Sequence, residues 1–335
     1  MNLEELLKKI EKEFGLNNLH ITRHCGSFIV VKNKKVVKIV GERLNYCPVL
    51  SKIYNLNIKP NSSEPISIED IERTIQVKID KFGMFCEERG VCCKHIAIPF
   101  GASEMMMYGF KNKVLDAVVS VCDGAGTVIS DNPEVVQGIG ARMNGIFYTS
   151  AIPEVVKRLE NNNAKVPFPG EINQVKGVEY AIDSGYKKIA VTINGFNADS
   201  LEKIKDLKNH IDGKITTLMI CTTGVSRENA TSMLDADLVW GCASKYVREI
   251  VGPKSVLQIG VQIPVFVLNE NGINLVSSYA QNDELKKTLE DNKKYYITFM
   301  PHCAIKKIEM GKFKVYLHET SSYPVRANKE PRPLL

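Results

Sequence analysis

The chain has 335 residues, 44% of them hydrophobic and 24% charged, the balance of a globular protein long enough to bury a full core without staples. Its net charge of +6 is mild and spread along the sequence, with no block of Lys and Arg interleaved with aromatics, so nucleic acid is not favoured as a partner. Nine cysteines, an odd count, argue against a complete disulfide set, and the absence of any apolar stretch of about 18 residues leaves a cytosolic protein, with no membrane partner, as the expectation.

In chain order, Leu3, Leu6, Leu7, Ile10 and Phe14 share one face of an N-terminal helix. The run from Ser27 to Val40 reads as a β-hairpin, two β-branched stretches flanking a Lys32-Asn33-Lys34 turn. Asn57 to Ser67, carrying Pro60 and Pro65, reads as a linker, and Ser67 then has helix-start character. Met84 to Gly101 is irregular and rich in cysteine. From Val114 onward strand and helix signals alternate. Pro133 and Pro153 fit first helical positions, and Asn173 to Ser184 forms a helix capped by Gly185. Strands at Lys188–Ile193 and Thr217–Cys221, a helix near Ser200–Lys208 and another opened by Ser226 come next. Beyond them lie a strand at Leu238–Cys242, a helix near Lys245–Val251, and one or two strands between Val256 and Leu268, interrupted at Pro264. The last fifty residues read as a hairpin with a turn at Gly311-Lys312 and a proline-rich tail.

This alternation predicts an α/β fold: a mainly parallel, doubly wound sheet with a smaller β-rich part built from the N- and C-terminal hairpins. The division expected is 1–60, helix and hairpin; 67–285, the α/β domain; and 286–335, a hairpin and tail packing with 1–60.

Three apolar runs end in a cysteine and then break into small polar residues: Ala117–Cys122, Thr217–Cys221 and Leu238–Cys242. On parallel strands these thiols would share the carboxyl edge of one sheet, where open α/β folds place their ligand crevice. Cys122, Cys221 and Cys242, with Cys47 before Pro48, are therefore candidate ligands of an Fe–S cluster or other thiolate-bound metal. Cys122 or Cys242 is alternatively a nucleophile, with Asp123 as general base or metal ligand. The competing reading is ordinary packing, because free cysteine is among the most buried residue types.

The turns after these thiols are candidate ligand loops. Gly124, Gly126 and Thr127 leave backbone open to a ligand, while Thr222, Thr223, Ser226 and Arg227, then Ser244 and Lys245, add hydroxyls and cations suited to a phosphate or carboxylate. Tight connections of any α/β protein look the same. No dinucleotide fingerprint or phosphate loop is present, so neither NAD nor ATP is supported. Cys86, Cys92, Cys93 and His95 match no known zinc or cluster spacing, and their role stays open between a metal site and a mobile redox segment.

Taken in order, Tyr46-Cys47-Pro48, Lys81-Phe-Gly-Met84, Val121 to Val128, Val136 to Gly140, Cys221 to Arg227 and Cys242 to Arg248 resemble the methanogenesis marker protein 8 family. The resemblance runs over most of the chain and implies a methane-producing archaeon and its cytosol. Because other methanogenesis marker proteins assist maturation or activation of methyl-coenzyme M reductase, it also implies an accessory role there, with partners in that machinery. The alternative is a small-molecule enzyme of cofactor biosynthesis acting on an anionic substrate at the sheet's carboxyl edge.

Overall fold

A computed structural model describes residues 3–142, 145–209, 211–289, 293–324 and 330–335. The elements run in chain order. Helix α1 (Leu3–Phe14) precedes strands β1 (Leu19–His24), β2 (Ser27–Lys32) and β3 (Lys35–Val40), then helices α2 (Pro48–Ile53), α3 (Ile68–Phe82) and α4 (Ala102–Lys111). Next come β4 (Ala117–Cys122), β5 (Gly126–Ser130), α5 (Pro133–Gly140), β6 (Gly145–Thr149), α6 (Pro153–Glu160) and α7 (Gln174–Asp183). The remainder is β7 (Lys188–Asn194), α8 (Ser200–Asn209), β8 (Lys214–Ile220), α9 (Arg227–Ser232), β9 (Leu238–Trp240), a π-helical turn (Val247–Val251), β10 (Leu257–Ile259), β11 (Val265–Val267), α10 (Glu270–Ala280), β12 (Lys294–Thr298), β13 (Lys306–Met310) and β14 (Phe313–Thr320).

Local chemistry explains many of these boundaries. Ser67, Asn132, Asn173 and Ser226 each cap a helix, accepting from the backbone N–H of Asp70, Glu134, Lys176 and Asn229 respectively. Asn33 and Lys34 both adopt left-handed backbone, the conformation a two-residue hairpin turn requires, and the expected hairpin forms as β2 and β3. Helix α4 is not evident in the sequence. It is buried at Ser103 to Met107 and packs against both α5 and α10, so it lacks the polar stripe that marks a surface helix.

Ten strands form one sheet in the order β13-β14-β12-β10-β11-β9-β8-β7-β4-β5. Strands β9, β8, β7 and β4 are its contiguous parallel block, and antiparallel pairings dominate on either side. Alternate residues serve opposite faces. Val118, Ala190 and Leu218 join the cluster under α4, α5 and α10, whereas Val119, Val191 and Met219 join that under α7, α8 and α9. Helices thus cover both faces, as expected for a doubly wound α/β protein.

A smaller antiparallel sheet, β3-β2-β1-β6, packs beside it, and α1 buries Leu6 and Ile10 against its β1 and β2. Two strand placements depart from the expected arrangement. The C-terminal strands β12, β13 and β14 extend the large sheet rather than building the smaller one, because β12 finds a parallel partner in β10. The fourth strand of the smaller sheet is β6, from the middle of the chain. The segment beyond the C-terminal hairpin does reach the N-terminal part, where Arg332 bridges Tyr46.

Candidate functional site

Strands β4, β7, β8 and β9 end at the face turned toward the smaller sheet, and a cavity of about 290 Å³ lies between. Its floor is the large sheet, through Ser120, Thr192, Asn194, Ile220 and Trp240. Its roof is the smaller sheet and the loop after it, through Arg23, His24, Cys25, Gly145 and Cys47. Much of the remaining wall is aliphatic, including Val49, Leu50, Val121, Val136 and Ile263. This is the crevice outside the carboxyl ends of parallel strands, and its volume sits at the lower bound of small-molecule pockets, about 300 Å³.

Arg23 supplies the charge. Its guanidinium stacks between Phe28 and Phe196, 4.8 and 4.7 Å from the ring centroids. Nε and Nη1 are buried and have no hydrogen-bond partner among the described residues. Burial lowers its pKa to about 10, against the pull of Cys221 and Cys242, so it remains a cation at neutral pH. Glu104, the acid in the lining, is already occupied: its oxygens accept from Ala97 N, Ile98 N, Ser103 Oγ and Gln137 Nε2. His24 is likewise committed, to Thr74 Oγ1 at 2.9 Å, and burial pushes its pKa far down. The hydroxyl of Ser120, also buried in the lining, has no partner among the described residues. Two residues of the lining, Arg23 and Ser120, therefore carry buried polar groups without a partner among the described residues.

Four thiols line it too: Cys25, Cys47, Cys221 and Cys242. Cys25, Cys221 and Cys242 have φ of 51°, 57° and 39°, a left-handed conformation uncommon outside glycine. Cys221 fits only because residue 145 is glycine, since a Cβ there would lie 2.5 Å from its Sγ. Burial raises the Cys221 pKa to about 12 and that of Cys47 to about 11, so both are neutral thiols at neutral pH.

The expectation of three strand-end thiols on one rim is corrected at Cys122. It is fully buried among Val91, Ala125, Val128 and Val135 and does not line the cavity, because β5 folds back antiparallel on β4 instead of leading into a helix. Burial raises its pKa to about 12 as well. Asp123 also lies away from the cavity: Oδ1 accepts from Arg89 Nε at 2.9 Å and Oδ2 from Phe85 N at 2.8 Å. Gly124, Gly126 and Thr127 form the β4–β5 hairpin, closed over by Thr149, Glu171 and Asn173. Gly126 (φ +80°) sits so close to the Glu171 backbone that a Cβ would come within 2.5 Å of its carbonyl.

Of the other candidate ligand residues, Thr223 lines the cavity and accepts from Ala243 N. Thr222 is buried and donates to Trp240 O, Ser226 is the α9 cap, and Ser244 accepts from Val247 N. Arg227 lies over the Tyr246 ring and Lys245 is exposed beside Glu249. Cys86, Cys92, Cys93 and His95 do not converge: Cys86 Sγ donates to Gly83 O and Cys92 Sγ to Asn162 Oδ1, while Cys93 Sγ lies against His95 O. Among the described residues no three His, Cys, Asp or Glu side chains are placed to hold one metal ion. Sequence reasoning missed Arg23 and Ser120. A local hint for Arg23 was the run His20-Ile21-Thr22-Arg23-His24, three basic residues in a stretch of strand character.

Fold and site together define an α/β protein with a thiol-lined, cationic cleft at its sheet's carboxyl edge. The chain belongs to the family described as "Uncharacterized protein conserved in archaea (DUF2099)", which matches residues 20–281. It is 37% identical over 256 residues to "Uncharacterized protein MJ0054" of Methanocaldococcus jannaschii, an alignment covering 76% of this chain and 87% of that protein. No helix among the described residues is long and apolar enough to cross a membrane.

Proposed function

We propose that the protein binds a small organic acid with an apolar body, as substrate or cargo, in the strand-end cavity. Arg23 takes the carboxylate or phosphate, Ser120 a second polar group, and Cys221 and Cys242 present thiols beside it. The observation that carries this reading is Arg23, a cavity-lining residue whose buried Nε and Nη1 have no hydrogen-bond partner among the described residues. A buried cation without a counter-charge is costly, and an anionic ligand removes that cost. The resemblance to methanogenesis marker protein 8 suggests the cytosol of a methane-producing archaeon as the setting, in a role accessory to methyl-coenzyme M reductase.

A thiolate-bound metal or Fe–S centre has less support. Cys122 sits in a separate interior, and no set of three donors converges among the described residues. Iron, sulfide and zinc analysis after anaerobic purification is its test.

For the acid-binding reading, thermal unfolding is measured with a panel of aliphatic and aromatic carboxylates and phosphates. At a ligand concentration of about 100 Kd the expected stabilisation is about 2.7 kcal/mol. Arg23→Met should abolish it while leaving the unliganded melting temperature unchanged or raised. A panel that stabilises wild type and the Arg23→Met variant equally, or neither, sinks the reading.

A further inference from the structure

One wall of the cavity belongs to neither sheet. Residues 330–335 cross it as an extended strap, and Pro331 is part of the lining. At one end Arg332 N donates to Tyr46 O at 2.9 Å, and Arg332 O accepts from Asn45 N and Tyr46 N at 2.6 and 3.1 Å. At the other, Leu335 N donates to Ala243 O at 2.8 Å and Leu335 O accepts from Lys245 N at 2.9 Å. The strap therefore stitches the segment just before Cys47 to the segment just after Cys242, and both cysteines line the cavity. Leu335 also closes the space over Gly224, beside the Arg23 guanidinium.

A buried ion pair secures it. Glu330 Oε1 lies 3.5 Å from Arg248 Nη1, with the two side chains 7% and 15% exposed. Arg248 Nη2 donates to the carbonyl of Cys242 at 2.8 Å and to that of Gln262 at 3.1 Å, so the same guanidinium holds both the strap and the Cys242 turn. Pro331 and Pro333 have fixed φ, which lowers the entropy lost when the strap docks.

We propose that residues 330–335 are a removable wall of the cavity, latched by the Glu330–Arg248 pair, whose release admits the ligand. The proposal builds on the cavity as a binding site but is independent of the ligand's chemistry. A short extended segment outside both sheets opens locally at far lower cost than the sheets beneath it. With the strap docked Cys47 is buried and Cys221 and Cys242 are partly exposed, and lifting it makes all three more reachable.

The test is thiol labelling of the full chain with a bulky neutral maleimide at fixed pH, read cysteine by cysteine from peptide masses. Exposed Cys92 and Cys303 are the internal standard, and Cys122, in its separate interior, is the control for general loosening. Glu330→Gln should raise labelling of Cys242 and Cys221 about tenfold relative to the standard, the population shift expected for one charge-assisted contact. Cys122 labelling and the melting temperature should stay put. Unchanged Cys242 and Cys221 rates would overturn the proposal, and so would a parallel rise at Cys122, which would make the strap a structural brace. If labelling responds as expected while the acid panel gives no stabilisation, the strap stands and the ligand class falls.

Discussion

Replacing Asp123 by asparagine should destabilise the protein without touching the cavity. Asp123 and Arg89 form an ion pair at 2.9 Å with side chains 2% and 0% exposed, and the second carboxylate oxygen holds the backbone N–H of Phe85. Phe85 has a φ of 62°, so that bond also stabilises a left-handed turn. Burial opposes the Arg89 charge, while Asp123, with Cys122 and Cys86, pulls the other way and leaves the pKa raised. Breaking a buried pair from one side leaves an uncompensated charge, a cost of about 3–5 kcal/mol. With a urea slope of about 3 kcal/mol/M, the unfolding midpoint should fall by roughly 1–1.7 M. Arg89→Met alone should cost a similar amount. The double variant Asp123→Leu/Arg89→Met should cost only about 1–2 kcal/mol, mainly for the Phe85 N–H left without its acceptor. Urea titrations of wild type, Asp123→Leu, Arg89→Met and the double variant, monitored by circular dichroism with Asp123→Asn alongside, measure the coupling between the two positions. A midpoint shift under about 0.3 M for Asp123→Asn, or additive single variants, would refute the structural role. Loss of ligand response in a stable Asp123→Asn protein would return Asp123 to the chemistry.

Two further perturbations probe the neighbourhood of the cavity. Burial lowers the His20 pKa to about 4, below its ordinary 6.5, with Asp123 pulling the other way, and Nδ1 lies 2.8 Å from Thr149 Oγ1. A depressed histidine gives stability that is complete above pH 6.5 and lost as pH falls toward 4, about 3 kcal/mol in all. His20→Gln should flatten that part of the pH dependence of urea unfolding, and an unchanged profile would count against it. Gly145→Ala should cost about 1–3 kcal/mol, because the new methyl meets Cys221 Sγ at 2.5 Å. Adding Cys221→Ala should recover most of that loss, and calorimetric melts that add independently would show that the two residues do not touch.

The parts of this molecule written in short-range code were legible from the residues alone. Alternation and turn chemistry placed β7, β8 and the β2–β3 hairpin, and Ser67, Pro133, Asn173 and Ser226 marked helix starts, because capping and turns involve neighbours three or four residues apart. The same logic put Cys221 and Cys242 at strand ends, and they do line one cavity. Cys122 has the same local signature but a different fate, since the next stretch of chain pairs back as β5 rather than starting a helix. Arg23 becomes a buried cation only because β6 pairs with β1 across more than a hundred residues and the large sheet then closes the other side. Residues 330–335 meet Tyr46 and Ala243 in the same way, by contacts between segments remote in the chain. Such pairings depend on which apolar faces bury each other best, a property of the assembled layers that no window of neighbouring residues contains.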